Sequence, residues 1–182
     1  MNKTAVVYST KQGSTARYAQ WVAEACGADL ISAAQADPDK LFDYDTVVYG
    51  GGVYAGAIYG ISLIKNNLKR FREESRLFVF TVGLTQPGDT VAFEQVLVRN
   101  FTQQERERLR FYHFPGALDF RKLPLWQHPM FYLLKKSIQS RSPKNRTEVE
   151  QNLLDCYGGA VDFVSREYTK PLIQEILDGN VN

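Results

Sequence analysis

Short apolar, β-branched runs alternate along the chain with segments whose apolar residues recur at helical spacing. That is the rhythm of a parallel sheet with crossover helices. Thr4–Ser9, Asp29–Ser32, Thr46–Gly50, Leu77–Val82 and Arg110–Leu118 read as five strands. Leu77–Val82 is almost continuously apolar, so burial on both faces is expected there. Between the strands, Ala16, Ala19, Ala23 and Cys26 mark a helix over Ala16–Cys26, and Asp37–Phe42 reads as a short helical turn. Ile61, Ile64, Leu68 and Phe71 give the buried stripe of another helix, and Val91–Leu109 is helical in pattern. Val149, Leu153, Tyr157, Ala160 and Val164 predict a long final helix, opened by the capping-box spacing of Thr147 and Glu150. No repeat or low-complexity linker interrupts the pattern. One doubly wound α/β domain over residues 1–182, built on a five-stranded parallel sheet, is expected.

One stretch breaks the rhythm. Phe120–Arg146 separates the fifth strand from the last helix, where connections usually take only a few residues. Trp126, Met130, Leu133, Leu134 and Ile138 share one face of a helix there, with Pro129 tolerable in its first turn. An inserted amphipathic helix over about 120–146 is expected. Charge picks out the same stretch. The net charge is +2, yet Phe120–Thr147 holds Arg121, Lys122, Lys135, Lys136, Arg141, Lys144 and Arg146 without one Asp or Glu. That segment carries +7 and the remainder −5. Two readings stay open: a helix packed on the domain, or a lid that meets an anionic membrane surface or an acidic substrate.

Other features narrow the setting. Met1-Asn2-Lys3 runs straight into the first strand without the parts of a signal peptide, and no apolar run approaches a membrane span. Cys26 and Cys156 stand alone, without Cys-x-x-Cys spacing, so neither a metal nor an iron–sulfur site is expected. A cytoplasmic protein follows, peripheral to the inner face of the cell membrane if the basic stretch binds lipid. No nucleic-acid partner is expected.

Ligands of open α/β sheets bind beyond the carboxyl ends of the strands, and three loops fall there. Ser9-Thr10-Lys11-Gln12-Gly13-Ser14-Thr15 brings hydroxyls, a flexible glycine and the first amides of a helix together, which suits a phosphate. Plain capping of the helix by Ser14 or Thr15 is the alternative. A Walker loop is absent, no Gly-x-Gly-x-x-Gly turn follows the first strand, and the acidic strand ends of a receiver domain are missing. Gly50-Gly51-Gly52-Val53-Tyr54-Ala55-Gly56 reads as a second loop, whose glycines let backbone approach a flat ligand with Tyr54 against a ring. Its alternative is a flexible loop with Tyr54 packed on a neighbouring helix. Thr81-Val82-Gly83-Leu84-Thr85 reads as a third, offering backbone groups to a ligand's polar edge, with an ordinary strand-to-loop transition as its alternative. No catalytic residue stands out, and His113 and His128 are lone histidines that read as structural and as a surface helix start.

The Ser-Thr-x-x-Gly-x-Thr pattern of Ser9–Thr15 resembles the FMN phosphate loop of flavodoxins, and Gly50–Gly56 and Thr81–Leu84 resemble their second and third loops. More narrowly, the chain is similar from Thr4 to about Phe163 to the flavodoxin-like, quinone-dependent protoporphyrinogen oxidases. Gly116–Leu118 and the aromatic, basic stretch Phe120–Lys136 carry that likeness, while Tyr54-Ala55 stand where that group has a basic residue and an aromatic. The resemblance implies a flavodoxin-like sheet of strand order 2-1-3-4-5 and FMN as cofactor. It implies FMN contacts from Ser9, Thr10, Lys11, Gln12, Gly13, Ser14 and Thr15, from Gly51, Gly52, Val53, Tyr54, Ala55 and Gly56, and from Thr81, Val82, Gly83 and Leu84. Two functions are then open. One is an oxidoreductase passing electrons from a small-molecule substrate, such as protoporphyrinogen IX in heme biosynthesis, through FMN to a quinone-like acceptor. The other is an electron carrier docking on redox partner proteins. Carrier flavodoxins are strongly acidic around the flavin, and the pI near 8.5 favours the enzyme.

Overall fold

Strands whose side chains are apolar in both directions need cover on both sides of their sheet, and the helices supply it. The computed structural model describes residues 3–85, 88–123, 125, 128–146, 148–155 and 157–179. In chain order, β1 (Thr4–Ser9) leads to α1 (Ser14–Cys26), β2 (Asp29–Ser32), α2 (Pro38–Leu41), β3 (Thr46–Tyr54), β4 (Ala57–Ile58) and α3 (Ser62–Lys65). There follow β5 (Arg76–Gly83), α4 (Thr90–Asn100), α5 (Gln103–Arg108), β6 (Arg110–Pro115) and β7 (Ala117–Asp119). The chain then forms α6 (His128–Gln139), α7 (Glu148–Asp155), β8 (Ala160–Asp162) and α8 (Lys170–Asp178). The main sheet runs β2-β1-β3-β5-β6, all parallel, which is the expected 2-1-3-4-5 once the two-residue antiparallel β4 is set aside at the edge of β3.

Period-two alternation sorts the strand side chains. Ala5, Val7, Val47, Tyr49, Leu77 and Val79 face one layer, packing with Leu41, Ile64, Leu97 and Phe101. Val6, Val48, Phe78, Phe80, Val82 and Phe114 face the other, against Tyr18, Ala19 and Val22 of α1 and Leu172 and Ile176 of α8. β5 is buried on both faces, as its apolar run requires.

The structure moves several expected boundaries. Gly50, Gly51 and Gly52 lie inside β3 and are buried, so the strand continues to Tyr54 where a loop was expected. A Cβ on Gly50 would stand 2.1 Å from Cζ of Phe80, its register partner on β5, so the glycine is a seat for a buried ring. The stripe of Ile61, Ile64 and Phe71 is buried as expected, but regular α-helix covers only Ser62–Lys65. Asn66 closes it, and the side-chain amide of Asn67 bonds back to the Leu63 carbonyl at 2.9 Å. The helical stretch over 91–109 is two helices, and the second opens with a capping box in which Thr102 and Glu105 bond each other's backbone amides. The expected fifth strand divides into β6 and β7 at Gly116, and β7 leaves the main sheet to pair with β8.

The long final helix is absent. α7 stops at Asp155, Gly158 turns the chain with φ +88°, and Ala160 and Val161 enter β8. The expected cap residue Thr147, like Trp126 of the expected apolar face, lies outside the described residues. The segment between β7 and β8 is therefore closed at its base by a β-ribbon. It has a small core of its own, made by Leu118, Phe120, Leu123, Leu153 and Val161 with Phe131 and Tyr157 against them. α6 buries Ile138 and turns Phe131 inward, while Met130, Leu133 and Leu134 stay exposed. Arg146 donates to the carbonyls of Ile138, Gln139 and Arg141 and so closes the end of α6.

Because Phe80 is fully buried and bounded by Phe114 at 5.3 Å, its ring has no free space to yield. Gly50→Ala is expected to cost about 3 kcal/mol in denaturant unfolding, at the upper end for overpacking. Adding Phe80→Leu is expected to recover part of that loss. Equal stability of Gly50→Ala and the parent chain would refute the packing role.

Candidate functional site

Four strands deliver backbone to one edge of the sheet. After β1, Gly13 takes φ +93° and becomes the cap residue of α1. Nothing lies within 4 Å of where a Cβ would stand there, so the demand for glycine comes from φ and not from space. Gly13 offers no side chain to cap the helix, and its own amide donates to Thr10 Oγ1 at 2.9 Å. Ser14 and Thr15 sit inside the first turn, so neither acts as the cap residue that a purely structural loop would use. Ser14 Oγ instead accepts from the Ala117 amide at 3.1 Å, which ties α1 to the β6–β7 corner. A 13-residue helix thus opens with first-turn amides that no side chain caps, among the hydroxyls of Thr10, Ser14 and Thr15. That is an anion-binding arrangement.

β3 ends in a tight hairpin. Val53 pairs with Ile58 and Tyr54 with Ala57, leaving Ala55 and Gly56 as a two-residue turn with φ +48° and +79°. Both signs are those of a type I′ turn, which asparagine-glycine fits best and alanine fits poorly. The Tyr54 ring folds over Gly52, and its oxygen accepts the Lys11 backbone amide. Burial pushes the Tyr54 phenol above its ordinary range, and that hydrogen bond partly offsets the shift. The Lys11 ammonium lies 4.9 Å from the Tyr54 ring centre and 4.6 Å from that of Tyr59.

Beneath the third loop lies His113. Its Nδ1 is 2.7 Å from the hydroxyl of fully buried Thr81, and its Nε2 is 3.1 Å from the Thr85 carbonyl. The carbonyl can only accept, so Nε2 carries the proton and Nδ1 accepts from Thr81. Burial holds the imidazole below its ordinary pKa, partly offset by the bond to Thr85. His113 is therefore a neutral strut under Gly83 and Leu84. Its structural reading from the sequence agrees with this position.

These parts line a cleft of about 160 Å³ that is partly open to solvent. One end is polar, lined by Thr10, Gln12, Ser14 and Thr15. The other is apolar, between Val53, Tyr54, Val82 and Leu84 and the wall of Leu118, Leu123, Met130 and Phe131. Of the expected site residues, Gly52, Ala55 and Gly83 also line it. Ser9, Lys11, Gly13, Gly51, Gly56 and Thr81 stand behind the lining: Ser9 bonds the Tyr49 hydroxyl, Gly51 faces Ile58, and Thr81 holds His113. Gly116, Ala117, Leu118, Leu123, Met130 and Phe131 were not expected to line the site. Gly116–Leu118 had a signal in the sequence as a shared tripeptide, and Met130 and Phe131 had one in the inserted helix; Leu123 had none.

The flavodoxin domain matches the sequence over residues 5–145. The chain belongs to the flavodoxin family. Flavodoxins bind FMN, and the residues of the cleft fit that cofactor: an uncapped helix start and hydroxyls suit a phosphate, and apolar side chains suit a ring. In shape the chain is similar to a WrbA-like flavodoxin from Agrobacterium tumefaciens, at 20% identity over 63% of this chain and 84% of that one, with TM-score 0.43. It is also similar to Flavodoxin 2 from Bacillus cereus, at 16% identity over 62% and 85%, TM-score 0.42. A third likeness is to the Trp repressor binding protein from Bacillus subtilis, at 16% identity over 63% and 85%, TM-score 0.42. No curated protein matches the sequence significantly.

Two measurements check this flavodoxin site. Ala55→Asn is expected to raise unfolding stability by about 1 kcal/mol, because asparagine tolerates the left-handed backbone that strains alanine; a loss of stability would contradict the turn geometry. The second follows from His113. A histidine neutral in the folded state and free to charge when unfolded contributes stability that is present above about pH 6.5 and lost as pH falls below it. The denaturation midpoint is expected to fall between pH 7.5 and 5.5, and to fall less in His113→Gln. An unchanged slope in that variant would show that His113 is not held neutral.

Proposed function

We propose that the protein is an FMN-dependent oxidoreductase, passing electrons from a reduced small-molecule substrate to a quinone-like acceptor. Bound FMN supplies the electron chemistry, and the chain supplies binding, orientation and shelter from water. Thr10, Gln12, Ser14 and Thr15, with the first amides of α1, would hold the phosphate. Gly52, Tyr54, Gly83 and Leu84 would hold the ring.

The observation that favours an enzyme over a carrier protein is the apolar wall. Leu123, Met130 and Phe131, all from the inserted segment, extend the cleft beyond what the flavodoxin loops enclose. A carrier needs an open flavin edge for docking; a walled, apolar cleft suits a small apolar reactant. Protoporphyrinogen IX is the substrate to try first, because the sequence resembles the quinone-dependent oxidases of that compound along the same segment. An electron carrier remains the second reading, and turnover separates the two.

A membrane-borne acceptor also accounts for the outer face of α6. Met130 lines the cleft, and with Leu133 and Leu134 it forms an exposed apolar stripe, Leu133 being 66% exposed. Basic groups flank the stripe, but fewer are free than their number suggests. Arg121 and Lys122 pair with Asp119, Arg141 pairs with Glu150, and Arg146 is spent on carbonyls. Attraction to an anionic bilayer, about 1 kcal/mol per engaged basic group, is therefore modest and screened by salt. No described helix is long and apolar enough to cross a membrane, and the contact proposed is peripheral.

The purified protein is expected to be yellow, to release FMN on denaturation, and to oxidise protoporphyrinogen IX with menaquinone or ubiquinone. Leu133→Glu with Leu134→Glu is expected to abolish low-salt co-sedimentation with anionic vesicles, to slow turnover with vesicle-embedded quinone, and to leave FMN binding intact. These two side chains are exposed, so the variant spares the small core that deletion of the helix would destroy. FMN-loaded protein that reduces no quinone but exchanges electrons with a redox protein would establish the carrier reading instead.

A further inference from the structure

The strained turn at Ala55 needs something to hold it, and the end of α4 supplies the hold. β4 is two residues long and among the described residues pairs only with β3, so the backbone groups on its outer side have no described strand to bond. The Asn100 side chain takes them. Its Oδ1 accepts the Ile58 amide at 3.0 Å, and its Nδ2 donates to the Gly56 carbonyl at 2.7 Å. Nδ2 also donates to the Val96 carbonyl one turn back on α4, at 2.7 Å. The orientation of the amide is fixed by chemistry, since an N–H must meet oxygen and two carbonyls must meet N–H. One asparagine thus stands in for a missing strand's peptide group.

Asn100 is itself anchored. Its carbonyl accepts from the Lys65 ammonium, which also lies 3.7 Å from the carboxylate of Glu105. Glu105 is locked by the capping box with Thr102, and those bonds hold its carboxyl below its ordinary pKa. Beside it, the Arg99 side chain packs against Gly56, within 3.1 Å of where a Cβ would stand. The hairpin so gripped carries Tyr54 and Ala55 into the apolar end of the cleft. Strained backbone of this kind persists only where its surroundings over-determine it.

We infer that Asn100 is a positioning residue for the flavin ring, acting through the Tyr54–Ile58 hairpin without touching the cofactor. The inference rests on the cleft being the FMN site. Without the Nδ2 donor, the Gly56 carbonyl loses its partner and Ala55 relaxes toward negative φ. Tyr54 then loses its seat over Gly52. A hairpin with glycine at position 55 has no such strain and does not need the clamp.

The test is FMN titration by flavin fluorescence, with the visible circular dichroism of the bound flavin recorded alongside. Asn100→Asp keeps the acceptor for Ile58 and removes the donor to Gly56. It is expected to weaken FMN binding about tenfold, in the range set by one lost buried hydrogen bond, and to alter the flavin dichroism. Ala55→Gly in the same chain is expected to restore binding to within about threefold of the parent, since it removes the strain that the clamp opposes. Asn67→Ala removes a comparable amide from the turn after α3, outside the cleft lining, and is expected to leave binding unchanged. Parent-like binding by Asn100→Asp, equal weakening by Asn67→Ala, or no restoration by Ala55→Gly would overturn the inference. Should Asn100→Asp fail to fold, hydrogen exchange of the Ile58 amide in the parent chain decides: slowing of at least about tenfold on FMN binding supports the coupling, and no change overturns it. Failure of the parent chain to bind FMN at all would instead overturn the reading of the cleft.

Discussion

Every part of the cleft depends on how closely side chains approach the backbone of β3. A ring from β5 occupies the place of a side chain at Gly50, Ile58 of the hairpin presses on Gly51, and the Tyr54 ring lies over Gly52. Three successive residues without a Cβ let the two layers and the hairpin close on a single strand. The first approach keys the sheet to the α1–α8 layer, the second sets the return of β4, and the third turns Tyr54 toward the cleft. A larger residue at any of the three would separate the elements whose ends form the site.

The same reasoning explains why the polar and apolar ends of the cleft lie where they do. Parallel strands leave their carboxyl ends unpaired on one edge, and helix starts converge there because each crossover begins at that edge. α1 brings amide donors because its cap residue, Gly13, has no side chain to satisfy them. The inserted segment comes off β6 at the neighbouring corner, where Gly116 donates to the Gly83 carbonyl and Ala117 to Ser14. Its base is thereby fixed beside the apolar end of the cleft, which Phe131 and Leu123 line from its own small core.

Much of this was legible in the sequence. Five strands follow from short apolar, β-branched runs, their order from the resemblance to flavodoxins, and both buried faces of β5 from its continuous apolar run; the hydroxyls around a glycine at a helix start mark the uncapped start of α1. What misled were residues whose role depends on a distant partner. Gly51 and Gly52 look like a loop because glycine is common in loops; pairing with β1 and β5, and the close approach of Ile58 and the Tyr54 ring, make them strand. Val149–Val164 keep helical spacing, yet Gly158 and the pairing of β8 with β7 end the helix. The seven positive charges look unopposed because Asp119 and Glu150 lie just outside the counted stretch and fold back on it. Asn100 gives no signal at all, since an asparagine at the end of a helix is ordinary until β4 appears beside it.

The central claim is that one cleft holds FMN with its phosphate at α1 and its ring between the β3 hairpin and the inserted segment. Backbone amide chemical shifts followed by NMR during FMN addition test it directly. The account predicts large changes at Gly13–Thr15, Gly52–Ala55, Gly83–Leu84 and Gly116–Leu118, with smaller ones at Met130 and Phe131 and none at the opposite sheet edge around Ser75 and Arg108. Changes confined to that opposite edge, or changes at α1 that spare both the hairpin and the inserted segment, would contradict it.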